Sequence, residues 1–418
     1  MKLYEIPKEV FDEFSRKNNI RNFYQTSYYG DWMTRRGFDT VYLVMMDDKN
    51  IIYAQTLIIY KNVLGKYKYG YAPRGFLIDY YDEATFTTFT TLLKDYLKKN
   101  DFAYLKIDPA IINKTRDKSG NVVKYGKDST KLIKKLESLG YKHCGFNEYF
   151  ETLKPRWNAV IKLDKNERDM FKSFNKDIKN KINNAKRKGL EVYKGNRDDI
   201  KKFYELVKKN YDRPIDYYYD YYDIFKRKNM LDIYVVKLNT YKYLQNSQQL
   251  YENELEKNNK IVDTIWRSGN NNNKKLVNKK MESDKLLIVY KNDIKKATKL
   301  LNKYPDGFTI ASSMIIKYNK QIQFLMDGID DAYKSFNPNH LLKWHIVKEY
   351  LNSKYYYVDL NGIVGNFNKK NNIYYGLNKF KLGFNSDVIE YIGEFDLPIN
   401  YAIYKLITKR QFLKKKNK

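Results

Sequence analysis

The sequence predicts an α+β protein made of two mixed-sheet units, with an antiparallel helical hairpin, or coiled-coil arm, inserted into the second unit. Three observations predict this class. Strand-like and helix-periodic segments alternate along the chain, a similar order of elements occurs in both halves, and a long polar, helix-prone stretch interrupts the second half. With 418 residues the chain is long enough for two ordinary domains, because single cores stop growing near about 250 to 300 residues.

Residues 1–155 are assigned to the first unit. Residues 41–60 contain two β-rich apolar runs that Asp-Asp-Lys-Asn separates, a pattern typical of a hairpin. The other predicted elements of this unit are a strand at 67–71, a helix at 83–100, a buried strand at 103–108 that Pro109 ends, and a helix at 131–139. A helix followed by a strand indicates a layered arrangement of helices on a sheet.

The second unit is assigned to residues 156–240 and 303–418, and an alternative packs residues 380–418 back on the first unit. Its predicted elements are strands that begin at Val160 and Leu190, strands at 233–237, 308–317, 321–326 and 355–360, and a helix at 340–351. The similar order of elements favours two related units. Each resembles the acetyltransferase-like layout of an antiparallel sheet with helices on its faces.

Residues 241–302 predict the helical arm. The apolar positions are sparse, namely Leu250, Leu255, Ile261 and Ile265, so two helices can pack on each other without being buried. We expect this hairpin to project into solvent. A role in docking tRNA or a protein partner and an ordinary surface hairpin are both open.

The charge of the chain indicates a polyanionic partner. Lys and Arg number 79 against 49 Asp and Glu, a formal balance of +30 that is spread along the sequence. Such a field attracts phosphates and binds nucleic acid through counterion release. Charge alone does not separate tRNA, DNA, anionic lipid and a metabolite that carries pyrophosphate.

Several common kinds of site are missing from the sequence. Cys144 is the only cysteine, which excludes an intramolecular disulfide framework and a cysteine-based zinc site. No P-loop, GxSxG or HExxH motif occurs, and no glycine-rich turn is convincing for the pyrophosphate of coenzyme A. Without a signal peptide or an apolar span, the chain is expected to be cytoplasmic; peripheral attachment to the inner face of the membrane is open if the acceptor is lipid-linked.

Local signatures remain, in a fixed order along the chain. They are Phe23-Tyr-Gln-Thr, Tyr71-Ala-Pro-Arg-Gly-Phe-Leu-Ile-Asp79, Leu105-Lys-Ile-Asp-Pro109, Leu153-Lys-Pro-Arg-Trp157, Ala185-Lys-Arg-Lys-Gly189, and Leu377-Asn-Lys-Phe-Lys-Leu-Gly-Phe384 followed by Glu390-Tyr-Ile-Gly393. Together they resemble the Fem family (FemABX) of peptidoglycan-bridge aminoacyltransferases, most closely its FemA-like members with a helical arm. The resemblance covers nearly the whole chain.

The resemblance implies two acetyltransferase-like (GNAT-type) domains and no metal or coenzyme. It implies transfer of an amino acid from aminoacyl-tRNA to an amine of the stem peptide or of a growing bridge, on a lipid-linked or UDP-linked muramyl pentapeptide precursor. Related Fem-type proteins are candidate partners. The sequence leaves open whether glycine, alanine or serine is transferred, which bridge position is made, and the oligomeric state.

Such a transfer needs a neutral acceptor amine. A lysine-type amine has a pKa of about 10.4, so a group at the site must take or share its proton at neutral pH. Asp108, at the end of a predicted strand, is the candidate; the alternative is a carboxylate that caps backbone amides in an Asp-Pro turn. Tyr104, on the same strand, is included among the candidate substrate-binding residues.

The resemblance also implies residues for the oxyanion and the precursor phosphates. The family's Phe-Lys pair matches Phe380 and Lys381, and an ammonium fixed beside the developing negative charge would stabilise it. Arg213 matches one phosphate-binding position of the family. At the other, Met33 stands where a lysine is expected, with Arg35 and Arg36 just beyond it.

Two further basic features have both a binding and a structural interpretation. Arg74 either binds substrate or fixes the turn around Gly75. The basic run 176–188 is expected to contact tRNA phosphates, although cations near a helix end also suit the helix dipole. Its candidate tRNA-binding residues are Lys181, Lys186, Arg187 and Lys188.

Two other functions compete with this one. The first is an acetyltransferase-like N-acyltransferase that uses acyl-CoA, against which the missing pyrophosphate loop counts. The second is a basic RNA-binding protein without catalytic activity, for which charge is the only support. Exposed aromatic side chains among the cations would favour it, but the tyrosine run at 217–222 is more simply a helix that packs on the core.

Overall fold

The computed structural model describes residues 1–17, 22–267, 273–368, 370 and 372–416. The strands are β1 (Lys2–Glu5), β2 (Asp39–Met46), β3 (Ile52–Leu64), β4 (Tyr67–Ala72), β5 (Phe102–Ile107), β6 (Lys142–His143), β7 (Trp157–Lys162), β8 (Leu190–Lys194), β9 (Leu231–Leu238), β10 (Phe308–Tyr318), β11 (Gln321–Ile329), β12 (Tyr357–Ile363), β13 (Asp387–Glu390) and β14 (Phe395–Pro398). The α-helices are α1 (Lys8–Lys17), α2 (Ser27–Arg35), α3 (Glu83–Lys99), α4 (Thr130–Ser138), α5 (Glu167–Ser173), α6 (Lys176–Arg187), α7 (Asp199–Val207), α8 (Ile215–Lys226), α9 (Thr240–Arg267), α10 (Lys274–Lys303), α11 (Pro338–Tyr350), α12 (Tyr375–Leu382) and α13 (Tyr401–Lys416); a 3-10 helix spans Asp331–Phe336.

The first sheet has the strand order β1-β2-β3-β4-β5-β14-β6, and its pairs are antiparallel except for β4 with β5. Helix α3 covers it because Phe86, Phe89, Leu93 and Leu97 recur at helical spacing and are all buried. The helix begins where Asp82 accepts a hydrogen bond from the backbone N–H of Thr85 at 3.1 Å.

The second sheet has the order β13-β7-β12-β11-β10-β9-β8, with β11 and β12 parallel. Helices α5, α6 and α11 contribute to the core on one side of it. On the other side, α7 and α8 share a core with α2, so that Trp32 of the first unit packs against Tyr217 and Tyr221 of the second. This aromatic core joins the two units, and it contains the tyrosine run that the sequence predicted to pack inward.

The arm consists of α9 and α10, which pack against each other. Part of its interior is polar: Ser283 Oγ donates to Glu254 Oε1 at 2.7 Å, and Asn258 Nδ2 donates to Asp284 Oδ1 at 2.8 Å. These contacts supplement the sparse apolar stripe. The two mixed-sheet units and the helical hairpin confirm the predicted fold class.

The end of the chain is divided between the two sheets. Strand β13 pairs with β7 of the second sheet, whereas β14 lies between β5 and β6 of the first, and α13 packs on β5. The crossing therefore lies between Glu390 and Phe395. Among the described residues, no helix combines the length and the apolar character needed to cross a bilayer.

Candidate functional site

A cavity of about 400 Å³ lies in the second unit, next to the other unit. Strands β11 and β12 and helices α11 and α12 contribute its walls. Its polar lining residues are Tyr211, Asp327, Asn339, Asn361 and Lys381, and its other lining residues are Phe150, Pro155, Phe324, Leu325, Leu360, Gly362, Leu377 and Phe380. We refer to it as the lysine cavity.

Lys381 is placed in the last turn of α12, with its side chain buried against β12. Its Nζ donates a hydrogen bond to the carbonyl oxygen of Gly362 at 2.6 Å. Burial lowers the pKa of Lys381 to about 8, against the opposing effect of Asp327. A lysine of this kind is mostly charged at neutral pH yet releases its proton more readily than a surface lysine.

Phe380 and His340 complete one side of this region. Phe380 lines the lysine cavity, and the His340 ring lies 4.8 Å from its ring centroid. Burial lowers the pKa of His340 to about 4, so its imidazole is neutral at neutral pH. Among the described residues no group of three or more His, Cys, Asp or Glu side chains is arranged to hold a metal ion.

A second cavity, of about 380 Å³, lies between the two units. We refer to it as the aromatic chamber because Tyr24, Tyr29, Trp32, Phe38, Tyr69, Tyr71, Tyr217 and Tyr221 line it. The charged residues among its described lining are Lys154 and Arg213, and none is a carboxylate. Met33, at the position where the family resemblance leads one to expect lysine, also lines it. The chamber is therefore suited to an anion with flat or apolar parts.

Lys154 enters the chamber from the segment that connects the units. Its Nζ lies 3.6 Å from the ring centroid of Tyr24 and 5.5 Å from that of Tyr29, which are cation–π distances. Burial lowers the pKa of Lys154 to about 8, with Asp108 acting in the opposite direction. No carboxylate of the described chain forms an ion pair with it, so its charge is available to a ligand.

The connecting segment 153–155 separates the two cavities, since Lys154 lines the chamber and Pro155 lines the lysine cavity. Two contacts hold it: Arg74 Nη2 donates to the carbonyl oxygen of Pro155 at 2.8 Å, and the backbone N–H of Leu153 donates to Glu394 Oε1 at 2.6 Å. Leu325 lines both cavities. The two cavities are therefore adjacent.

Asp108 lies behind this segment and lines neither cavity. Its Oδ1 accepts from the hydroxyl of Tyr71 at 2.9 Å and from the backbone N–H of Arg74 at 2.7 Å, and its Oδ2 lies 3.6 Å from Arg74 Nη1. Asp108 is 2% exposed. In this geometry it holds the Arg74 turn, which is the structural alternative considered for it.

The segments 23–26 and 71–79, which carry the first two signatures, contact each other through Gln25. Gln25 is fully buried, donates to the carbonyl oxygens of Leu57 and Pro73, and accepts from the N–H of Leu57 at 2.7 Å. A Cβ at Gly75 would approach Gln25 Nε2 to 2.7 Å, so a larger residue there would displace the buried Gln25 amide. This packing positions Arg74 and, next to Gln25, the Tyr24 ring of the chamber.

Arg35 and Arg36 lie outside the described lining of the chamber. Both form ion pairs with Asp220 of α8, Arg35 at 2.8 Å. Arg213 is exposed, stacks on Tyr217 at 4.5 Å, and has no ion-pair partner in the described chain. The cations available to a chamber ligand are therefore Arg213 and Lys154.

Tyr104 lines neither cavity. It is 2% exposed, with its ring 4.9 Å from Tyr69 and 5.1 Å from Tyr404. Tyr404 belongs to α13, so Tyr104 lies beneath the C-terminal helix. Its surroundings suit a core residue.

The four basic candidates, three on α6 and Lys188 at its C-terminal end, differ in their surroundings. Lys186 and Arg187 are exposed, and Lys181 pairs with Asp177 at 3.0 Å. Lys188 instead donates to both oxygens of Asp293 on the arm at 2.6 Å. Lys188 thus ties α6 to the base of the arm, while the other three remain at the surface.

Sequence reasoning missed most of the residues that line these cavities, among them Lys154, Asp327 and Asn339. Lys154 stands within a quoted signature, but nothing in a lysine-rich chain distinguishes it. Asp327 follows the predicted strand 321–326, so the reasoning that selected Asp108 at a strand end would also have selected it. Asn339 carries no local signal.

Comparisons with known proteins identify the family of the chain. A family model described as the FemAB family matches residues 6–414. Aminoacyltransferase FemA of Staphylococcus epidermidis is 26% identical over 428 residues, covering 99% of this chain and 100% of the relative. Aminoacyltransferase FemA of Staphylococcus aureus (strain MRSA252) is 24% identical over 421 residues, covering 98% of each.

The solved structures include a similar fold. The crystal structure of FemX matches with a TM-score of 0.74 at 21% identity, covering 97% of this chain and 100% of that chain. This likeness supports the confirmed fold class. Because the family model spans nearly the whole sequence, the chain belongs to the FemAB family.

Proposed function

We propose that this chain is an aminoacyltransferase that moves a small amino acid from charged tRNA to an amine of a peptidoglycan precursor. The observation that carries the proposal is the pair of adjoining cavities. One presents the buried ammonium of Lys381, and the other presents two cations without a lining carboxylate. The first suits an ester that becomes an oxyanion, and the second suits a phosphate-bearing acceptor.

The reaction forms one bond and breaks one. The neutral acceptor nitrogen attacks the ester carbonyl carbon and gives a tetrahedral oxyanion. The new C–N bond remains, the C–O bond to the ribose breaks, and a proton from the amine ends on the ribose oxygen. Lys381 would stabilise the oxyanion electrostatically, and with a pKa of about 8 it can also pass a proton to the leaving oxygen. Phe380 packs beside this site.

The aromatic chamber would hold the acceptor. Arg213 at the surface and Lys154 inside would pair with its phosphates, and the tyrosine faces and hydroxyls would contact its sugar. In this proposal Lys154 supplies the charge that Met33 does not. The lipid-linked and UDP-linked precursors both carry such phosphates, so the same cations serve either form.

Replacing Lys154 by methionine is expected to raise the KM for the phosphorylated acceptor about 10- to 100-fold with a smaller effect on kcat. One charge-assisted hydrogen bond is lost, which is worth about 1.5 to 3 kcal/mol. Steady-state kinetics with the UDP-linked precursor checks this. Lys165→Met, an exposed lysine paired with Asp164, is the control and should leave KM unchanged. An equal loss with a muramyl pentapeptide that lacks phosphate would contradict the assignment.

The tRNA would lie across the exposed side of α6, near the base of the arm. Lys181, Lys186 and Arg187 would contact phosphates, and Lys188 would position α6 through Asp293. A second contact between the arm and α6 is the hydrogen bond that Asn246 Nδ2 donates to the carbonyl oxygen of Arg187 at 3.1 Å. Contacts of this kind supply affinity without reading sequence.

Changing both Lys186 and Arg187 to glutamate is therefore expected to weaken tRNA binding. The negative slope of log association constant against log salt concentration should become shallower by about 2. Filter binding across a salt series measures this. Lys66→Glu, on the turn between β3 and β4, is the control for a general change in charge. An unchanged slope in the double variant would exclude α6 from the tRNA contact.

The function itself is tested by transfer of labelled glycine, alanine or serine from purified charged tRNA to lipid-linked and UDP-linked precursors. Label on a precursor from one amino acid establishes the activity and identifies the donor. A parallel assay with acetyl-CoA addresses the competing acyltransferase. Tight tRNA binding without transfer to either precursor would favour the RNA-binding alternative and overturn the proposal.

A further inference from the structure

Asp327 lines the lysine cavity, and the reaction described above gives it no role. It lies on β11, with a side chain that is 30% exposed. Among the described residues that line this cavity it is the only carboxylate. A ligand in this cavity therefore meets a negative group as well as the positive Lys381.

The hydrogen bonds of Asp327 leave room for one more donor. Ser313 Oγ and Lys343 Nζ both donate to Oδ1 at 2.6 Å, and Lys343 Nζ also donates to Oδ2 at 2.6 Å. An ionised carboxylate has about four acceptor positions, and these bonds use three of them. The open position is on Oδ2.

Asp327 is ionised at neutral pH. Burial raises the pKa of its carboxyl. The charge of Lys343 and the hydrogen bonds from Lys343 and Ser313 lower this pKa by more, so it lies below the usual value for aspartate. Lys343 itself is fully buried, which keeps this counterion away from any ligand. The cavity thus has a fixed negative group as well as the positive Lys381.

A second acceptor lies on the same cavity. Asn339 Oδ1 is buried and has no hydrogen-bond partner in the described chain. A buried acceptor without a donor is unfavourable by about 1 to 3 kcal/mol, and a ligand donor would remove that cost. Asp327 and Asn339 together offer two acceptors to one cationic donor group.

Resting on the proposed aminoacyl donor, we propose that Asp327 and Asn339 bind the α-ammonium group of the aminoacyl ester while Lys381 contacts its carbonyl oxygen. The α-nitrogen and the carbonyl oxygen are three bonds apart, so the ester carries a donor and an acceptor that match groups of both signs in one cavity. This contact selects donors with a free α-amine over N-acylated ones. It also keeps that amine protonated, so that it does not compete with the acceptor as nucleophile.

The test compares two donors on the same tRNA acceptor-stem minihelix, one charged with alanine and one with lactate, whose hydroxyl replaces the ammonium. Wild type is expected to prefer the alanyl donor about 10- to 100-fold in kcat/KM. Asp327→Asn should lower the alanyl value by that factor. It should lower the lactyl value much less, only through the weaker protonation of Lys381, whose charged form Asp327 favours. Because this change leaves the buried Lys343 unpaired, the double variant with Lys343→Met is measured as well.

Asn339→Ala leaves the ion pair intact and should lower only the alanyl value, by a smaller factor. The matched control is Asp331→Asn, an exposed carboxylate paired with Lys334, which should change neither donor. If wild type transfers both donors and the Asp327 and Asn339 variants affect both equally or not at all, the inference is overturned and the function stands. If wild type transfers neither, the proposed function itself fails.

Discussion

Replacing Lys381 by methionine is expected to lower kcat for aminoacyl transfer about 100- to 1,000-fold, the usual effect of removing one group that stabilises an oxyanion. Methionine retains the length and the packing of the buried stem, so that loss of the charge dominates. Single-turnover transfer from charged tRNA measures the chemical step. Lys379→Met is the matched control, because Lys379 lies on the same helix, is exposed, and pairs within the described chain with Asp177 alone, at 3.9 Å. Unchanged transfer by the Lys381 variant would remove Lys381 from the chemistry.

The pH dependence gives this prediction a second measurement. The pKa of Lys381 is about 8 because burial disfavours its charged form, while Asp327 and Asp359 favour that form and Lys343 opposes it. A step that needs the charged form is therefore expected to lose rate as the pH rises through about 8. Lys381→Arg keeps its charge in this range, so its profile should lack that alkaline limb. An identical limb in wild type and in the arginine variant would assign it to another group.

Replacing Glu390 by glutamine is expected to lower the free energy of unfolding by about 3 to 5 kcal/mol. Glu390 is 2% exposed and accepts from Arg156 and, at 2.7 Å, from Arg116; Asn113 donates to it at 2.9 Å. Asn113 and Arg116 belong to the first unit, whereas Glu390 belongs to the second sheet. The substitution leaves the buried guanidinium of Arg156 without its counterion, at the junction of the two units.

Urea unfolding followed by circular dichroism measures this change. Asp387→Asn on the same strand is the control, because the Asp387 carboxylate pairs with Lys162 at the surface. Such a surface ion pair contributes about 0 to 1 kcal/mol. Replacing Arg156 and Glu390 together by methionine should recover part of the loss, since the more deeply buried guanidinium is then removed with its counterion and only the less buried Arg116 is left unpaired. A loss below about 1 kcal/mol for Glu390→Gln would show that the buried cluster does not hold the units together.

The position of the chain's end illustrates what local patterns leave open. Strands β13 and β14 are separated by a few residues, yet they belong to different sheets. Neither is long enough for its alternation to identify a partner. The pairing depends on which edges of the two sheets are available, which is a property of the assembled fold.

In the candidate site, too, the sequence located some residues, whereas tertiary contacts bear on the roles of others. The resemblance located Phe380 and Lys381, and their catalytic roles stay predictions. For Asp108 the sequence left two roles open, and the tertiary contacts with Arg74 and Tyr71 favour the structural one. Likewise Arg35 and Arg36 follow Met33 in the sequence, but Asp220 of a distant helix engages both.

Periodicity and turn residues are local properties, and they were enough to predict the fold class and the arm. The order of the motifs along the chain was enough to indicate the family. Which of the many cations are available to a ligand follows from tertiary contacts: Lys154 enters the aromatic chamber, whereas Lys188 forms an ion pair with Asp293 of the arm. The tertiary structure also placed Asp327 beside Lys381. The physical reason is that a side chain's charge, pKa and access to ligand depend on burial and on partners from distant segments, which no local pattern specifies.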